Sequence, residues 1–135
     1  MGSEIGLRIN IKRSPTYLKS FHTKVLTKKN ASFKFRLNLY AIEKDLPGRT
    51  LLKRDIIISS SDIKNGFMNY DLEPHNITVE DDFFVALEWI ENKDDKPLQF
   101  SASIFGSTVV ERKTSHAAWE KAPIGSVGFN VKVTY

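Results

Sequence analysis

The feature that most constrains this chain is an apolar–polar alternation of period two, which recurs along its length and never gives way to a sustained period of 3.6. Phe33, Phe35, Leu37, Leu39 and Ala41 interleave with Lys34, Arg36, Asn38 and Tyr40. Successive side chains of a strand point to opposite faces, so this segment reads as a strand with one buried and one solvated face. Wound as a helix, the same apolar residues would be scattered on all sides. Ile5, Leu7, Ile9 and Ile11 repeat the pattern, as do Phe21, Thr23 and Val25, then Leu98, Phe100, Ala102 and Ile104. Val127, Phe129, Val131, Val133 and Tyr135 close the chain in the same way. Phe83 to Ile90 is different: Phe83, Val85, Leu87 and Trp89 fill one face and Phe84, Ala86 and Ile90 the other, with Glu88 the one interruption. Such a strand is expected at the centre of a sheet, covered on both sides.

Turn chemistry falls between these segments. Ser14-Pro15 initiates a turn, Leu46-Pro47-Gly48 combines a fixed φ with a residue that accepts positive φ, and Asn65-Gly66 is the dipeptide most typical of a type I′ hairpin. Ile56, Ile57 and Ile58 form a β-branched run, and Gly66 to Glu73 reads as a strand. A short extended segment is expected at Thr108 to Arg112, and a long loop from Lys113 to Gly125. Eight or nine strands at short intervals predict an all-β, two-sheet antiparallel jelly-roll-like β-sandwich with helical content close to nil. No cysteine pair flanks a tryptophan, so the antibody-type immunoglobulin pattern is not supported. A length of 135 residues suits one domain. Met1, Gly2 and Ser3 read as a short added leader, leaving residues 4–135 as a single β-sandwich domain.

Several function classes are disfavoured by the residue types. Without cysteine there are no disulfides, thiolate metal sites or cysteine nucleophiles. His22, His75 and His116 are dispersed without paired-ligand spacing, and no Gly-x-Ser-x-Gly elbow presents a serine nucleophile, so no catalytic residues, metal or cofactor are expected and the chain reads as a non-enzyme. Glu80-Asp81-Asp82 and Asp94-Asp95 offer oxygen ligands for calcium, but lack the EF-hand spacing and read as solvated loops that blunt sheet edges. Lys28-Lys29, Lys34, Arg36, Lys53 and Arg54 form a basic cluster without any nucleic-acid motif, so nucleic acid is not an expected partner. No continuous apolar stretch is long enough to span a membrane as a helix.

Charge is split along the chain. Up to Arg54 there are 13 Lys/Arg against 3 Asp/Glu; from Asp55 onward there are 7 against 13. The halves either present a basic face to an anionic partner or interleave in two sheets and pair across strands, and the second reading is preferred. Glu88 also stands out. Enzymatic use would need a second carboxylate beside it in a cleft, whereas a lone buried carboxylate paired to Arg or Tyr is the simpler reading.

One stretch carries a binding signature. In Thr114 to Pro123 the large aromatic Trp119 sits among polar residues, with His116 close in sequence, as in the stacking platforms of sugar-binding modules. Tyr17, in the loop after Pro15, is the candidate second wall. Trp119, Tyr17 and His116 are therefore the candidate ligand-binding residues. The competing expectation is that Trp119 folds back to plug one end of the sandwich.

Phe35-Arg36-Leu37-Asn38-Leu39-Tyr40, Leu46-Pro47-Gly48 with Leu51-Leu52, Tyr70-Asp71-Leu72 and Asp82 through Trp89 together resemble the β-sandwich region of Bacteroidetes-type carboxypeptidase-like regulatory-domain envelope proteins. Ser101-Ala102, Phe105-Gly106-Ser107, Trp119-Glu120-Lys121 and Gly128-Phe129 continue the resemblance over nearly the whole chain. It implies an accessory sandwich without peptidase activity, and no His-Glu-x-x-His or His-x-x-Glu pair is present. It also implies a place in the cell envelope, periplasmic or extracellular. The expected function is a noncatalytic interaction or structural module with a protein or glycan partner; the alternative is a carbohydrate-binding module using loop aromatics.

Overall fold

The computed structural model describes residues 2–26, 33–92, 99–100, 109–114, 117–121 and 129–135. Its strands are β1 Glu4–Ile9, β2 Thr16–Leu26, β3 Phe33–Glu43, β4 Leu46–Thr50, β5 Ile56–Ser59, β6 Ile63–Lys64 and β7 Phe67–Asp71. β8 Thr78–Val79, β9 Phe83–Asn92, β10 Gln99–Phe100, β11 Val109–Arg112, β12 Glu120–Lys121 and β13 Asn130–Thr134 follow. The alternation at Phe33–Ala41 and the apolar run at Phe83–Ile90 fall in the long strands β3 and β9, and two-residue pairings such as β6, β8 and β12 raise the number beyond that read from periodicity. The helical segments among the described residues are two single 3₁₀ turns, Ser60–Asp62 and Glu73–His75.

The strands form two antiparallel sheets. The first runs β12-β11-β1-β9-β3-β4, with β5 also on β3; the second runs β10-β2-β7-β6, with β8 and β13 also on β2. The chain passes repeatedly between them, which gives an all-β, jelly-roll-like sandwich. Phe35, Leu37, Leu39, Val85 and Leu87 from the first sheet meet Leu18, Phe21, Met68 and Phe129 from the second in one core. Each buried phenylalanine contributes roughly 1.5–3 kcal/mol. Phe21 and Phe129 meet edge to face at 5.5 Å, and Phe35 lies 4.5 Å from Trp89 between ring centroids.

β9 occupies the place its composition demands, paired on one side to β1 and on the other to β3. Phe83 through Leu87 are all inaccessible to solvent. The outer face of the first sheet is covered as well: Phe84, Ala86 and Val110 are fully buried there. Gly6 lies between the last two in register, and a Cβ on it would meet Ala86 Cβ and Val110 Cγ2 at 3.2 Å. The alternation of β1 thus does not mark a solvated face, since Glu4 and Gly6 are buried.

Two turns compare sequence and structure directly. Asn65 and Gly66 have φ of 53° and 81°, the double positive φ of a type I′ turn, between β6 and β7. The β3–β4 turn, however, sits at Lys44 and Asp45, with φ of 52° and 66°, and Leu46-Pro47-Gly48 belongs to β4. Proline's φ is fixed near −65°, so Pro47 cannot occupy a positive-φ corner. It falls instead on a strand at the sheet's edge, where a missing N–H is tolerated. The segment expected as a loop from Lys113 to Gly125 contains β12, which pairs with β11. Of the expected strand from Leu98 to Ile104, Gln99 and Phe100 pair with β2, and the remainder lies outside the described residues.

Gly2 and Ser3, of the residues read as a leader, bond to β9, and Met1 lies outside the described residues. Gly2 N–H donates to Trp89 O, and Trp89 N–H donates to Ser3 O, both at 2.9 Å, continuing the β1–β9 ladder.

Candidate functional site

Among the described residues, the densest cluster of interacting polar side chains lies on the outer face of the first sheet. Glu4 stands directly opposite Glu88 across β1 and β9, with Arg112 opposite Glu4 on β11 and Arg36 opposite Glu88 on β3. Two like charges facing each other destabilise a sheet, so the arrangement persists only if donors surround them. They do. Glu4 Oε1 accepts from Arg112 Nε at 2.9 Å and Nη2 at 2.5 Å, and Oε2 accepts from Asn38 Nδ2 and Tyr40 Oη, each at 2.7 Å. Asn38 Nδ2 also donates to Glu88 Oε1 at 3.1 Å, which Arg36 Nη1 reaches at 3.2 Å. Arg36 Nε lies 3.8 Å from Asp55.

Glu4's side chain is 0% exposed, and its four acceptor positions are occupied. A buried carboxylate is tolerated only with such pairing. Tyr40 joins as a neutral donor: burial, then its hydrogen bond to Glu4, pushes its hydroxyl pKa up. Glu88 is buried and paired to Arg36, as the simpler reading has it, but it is not lone. It is half of a carboxylate pair whose partner, Glu4, lies far away in sequence.

Trp119 closes this cluster. Its ring lies under the Arg112 guanidinium at 4.5 Å and meets Tyr40 edge to face at 5.7 Å, and it is half-buried. It has folded back as one of the two expectations held, but onto the face of a sheet and not into the end of the sandwich. Tyr17 is not in a loop; it lies on β2 of the second sheet, opposite Thr78 and Thr134, and is 44% exposed. Trp119 and Tyr17 thus belong to different sheets. His116 lies outside the described residues. His22 and His75 sit on separate elements, His75 hydrogen-bonded to Tyr70 Oη at 3.1 Å.

Two recesses lie at opposite ends of β1. A pocket of about 470 Å³ beside the β11–β12 pairing is lined by Ile5, Trp89, Glu111, Arg112, Lys113 and Glu120. At the other end a cleft of about 1020 Å³ opens between the loop before Pro15, the β3–β4 turn and the loop before β9. Asp82 clamps its floor, accepting from Ile11 N–H at 2.8 Å and from Arg8 Nη2 at 3.2 Å. Lys12, Arg13, Arg49, Glu80 and Asp81 are exposed on its walls, and their side chains form no ion pair among the described residues. The acidic run Glu80-Asp81-Asp82 is thus split, with Asp82 structural and its neighbours free. No group of three or more His, Cys, Asp or Glu side chains converges on a metal position among the described residues.

The charge split is closed within the molecule at several points. Arg8, Lys19 and Arg36 of the basic half pair with Asp82, Glu73, Asp55 and Glu88 of the acidic half. Sequence reading missed the cleft and the Glu4–Arg112 pair because both join residues distant along the chain. The available signal was the isolated Glu4 at the head of an apolar strand, a charge with no reason to be there unless paired. No helix among the described residues is long and apolar enough to cross a membrane. Compared with protein-family models, curated proteins and solved structures, the chain matches none.

Proposed function

We propose that this chain is a noncatalytic β-sandwich module of a cell-envelope protein that binds a polypeptide partner through the cleft at the Arg8–Asp82 end. The observation that carries this reading is the cleft's free charge of both signs: Lys12 and Arg13 before Pro15, Arg49 on β4, and Glu80 and Asp81 before β9 all line it. Charges of both signs suit a surface that carries both, as a polypeptide does, and fix its register on docking. The buried carboxylate pair supports the same reading, because Glu4 spends its lone pairs on its own fold and has none to offer a substrate. The envelope location is supported by the resemblance of the strands and of the Trp119 segment to envelope sandwiches.

The test is site-specific photo-crosslinking in the envelope of a Bacteroidetes-type bacterium, with the probe at Arg49 in the cleft or at Lys121 on the opposite side. A polypeptide adduct from position 49, absent at 121 and lost when Glu80 and Asp81 are both changed to Lys, is the expected result. A glycan adduct, or none, rejects the reading.

A second reading, carbohydrate binding, is favoured by the pocket at the β11–β12 end. Its volume lies within the range of small-ligand sites, and Trp89 with Glu111 and Glu120 supplies an aromatic wall and hydroxyl-binding carboxylates. Tryptophan emission of wild type and Trp119→Phe, titrated with soluble glycans, tests it. A shift that survives Trp119→Phe places the ligand at Trp89; no shift in either protein removes this reading.

A further inference from the structure

The outer face of the second sheet carries a constellation that neither reading uses. Leu18 and Phe21 on β2 are both buried although they are three residues apart, which a regular strand cannot achieve. The parity changes at a bulge: Val133 of β13 faces Leu18 while Lys132 faces Ser20, leaving Lys19 as the extra residue. Ser20 and His22 are thereby turned to the outer face. His22 stands opposite Asn69 on β7, and Ser20 stands opposite Lys132 on β13.

The contacts run in series. Ser20 Oγ is 2.6 Å from His22 Nε2, and His22 Nδ1 is 2.5 Å from Asn69 Oδ1. An amide oxygen can only accept, so Nδ1 carries the proton, and Nε2 is left to accept from the Ser20 hydroxyl. This is the order of nucleophile, base and orienting group that activates a hydroxyl. Lys132 on β13 and Asp71 on β7 stand directly across the two ladders from Ser20, so a cation that favours an oxyanion there is opposed by a carboxylate.

We infer that Ser20 is an acyl-accepting nucleophile, activated by His22 and positioned by Asn69, that reacts with small activated esters. Ser20 Oγ bonds to the acyl carbon and its proton passes to His22 Nε2. The acyl–oxygen bond to the leaving alcohol breaks, and the imidazolium returns the proton to the departing oxygen, leaving Ser20 as an ester. Oxyanion stabilisation at Ser20 rests on Lys132 alone and works against Asp71. The reaction therefore stops at stoichiometric acylation. This inference does not depend on the proposed binding role.

The test incubates the intact protein with p-nitrophenyl acetate, following nitrophenolate release and locating acetyl groups by peptide mass spectrometry. Ser20 is expected to be acetylated roughly 10²-fold faster than the exposed Ser14 and Ser61, the low end of general-base catalysis. His22→Gln should bring Ser20 down to their rate, and Lys132→Gln should slow it. Asn69→Leu should slow acylation while Asn69→Asp, which keeps the accepting oxygen, restores it, an effect that mere structural support would not give. Circular dichroism confirms that each variant is folded. Acetylation of Ser20 at the rate of Ser14, or a rate unchanged by His22→Gln, overturns the inference. So does nitrophenolate release without an adduct on Ser20.

Discussion

Both sheets turn one face away from the shared core, and the two outer faces have opposite characters. On the first sheet Glu4, Asn38 and Glu88 are buried beside Phe84, Ala86 and Val110, with Trp119 laid over Arg112 and Tyr40. On the second sheet Tyr17 and Phe67 are 44% and 50% exposed, and Lys19, Lys24, Asn69 and Lys132 face solvent. Both faces are written in the same alternating code of apolar and polar residues. The lesson is that a polar residue on a strand's second face says nothing about water until it is known whether something covers that face. Where cover exists, the polar groups must satisfy one another, and a hydrogen-bonded network results. Without cover, they remain free for chemistry with solvent-borne molecules.

The comparison can be broken by measurement, starting with the largest effect. Phe35→Ala, in the core that both sheets share, should cost roughly 3–5 kcal/mol in denaturant unfolding. Arg112→Ala should cost about as much, roughly 3–5 kcal/mol, although it lies on the outside of a sheet, because it leaves Glu4 buried and uncompensated. If unfolding placed Arg112→Ala within about 0.5 kcal/mol of wild type, the range of ordinary surface changes, the first outer face would be no different from the second.

A smaller effect, on pH dependence, sharpens the same point. Tyr40 holds its proton more tightly in the folded state than in the unfolded chain, so its contribution is complete below about pH 10 and is lost as the pH rises toward the raised folded-state value. Stability should therefore decline on the alkaline side of pH 10, and Tyr40→Phe should flatten part of that decline while removing a charge-assisted hydrogen bond of about 1.5–3 kcal/mol. An unchanged alkaline slope in Tyr40→Phe would mean that the hydroxyl is not shielded. The smallest effects belong to the second outer face: Tyr17→Ser and Lys19→Ala should each fall within about 0.5 kcal/mol of wild type, Lys19 losing only an exposed ion pair to Glu73.

Much of the architecture was legible in the residues. The unbroken apolar character of Phe83 to Leu87 marks the central strand of the first sheet, and Asn65-Gly66 marks the β6–β7 hairpin of the second, because each signal is local and its cause is steric or hydrophobic. Leu46-Pro47-Gly48 was misleading for an equally physical reason: two residues that both favour turns compete with a type I′ register that needs two consecutive positive-φ positions, and Lys44-Asp45 supplies them. Among the candidate site residues, Trp119 has a partner that only register reveals, Tyr17 lies on the wrong sheet to join it, and the Ser20–His22–Asn69 series depends on a bulge that alternation alone does not announce.

Period-two alternation by itself determined that this chain forms strands, which strand is central and, away from the β2 bulge, which side chains share a face, since burial of apolar area and the pleat act residue by residue. Only the tertiary structure decided which outer face is covered, that Glu4 meets Glu88 and Arg112, and that the basic half meets the acidic half. Those outcomes depend on register between segments far apart in the chain, and a one-residue shift in pairing exchanges every side chain between the two faces.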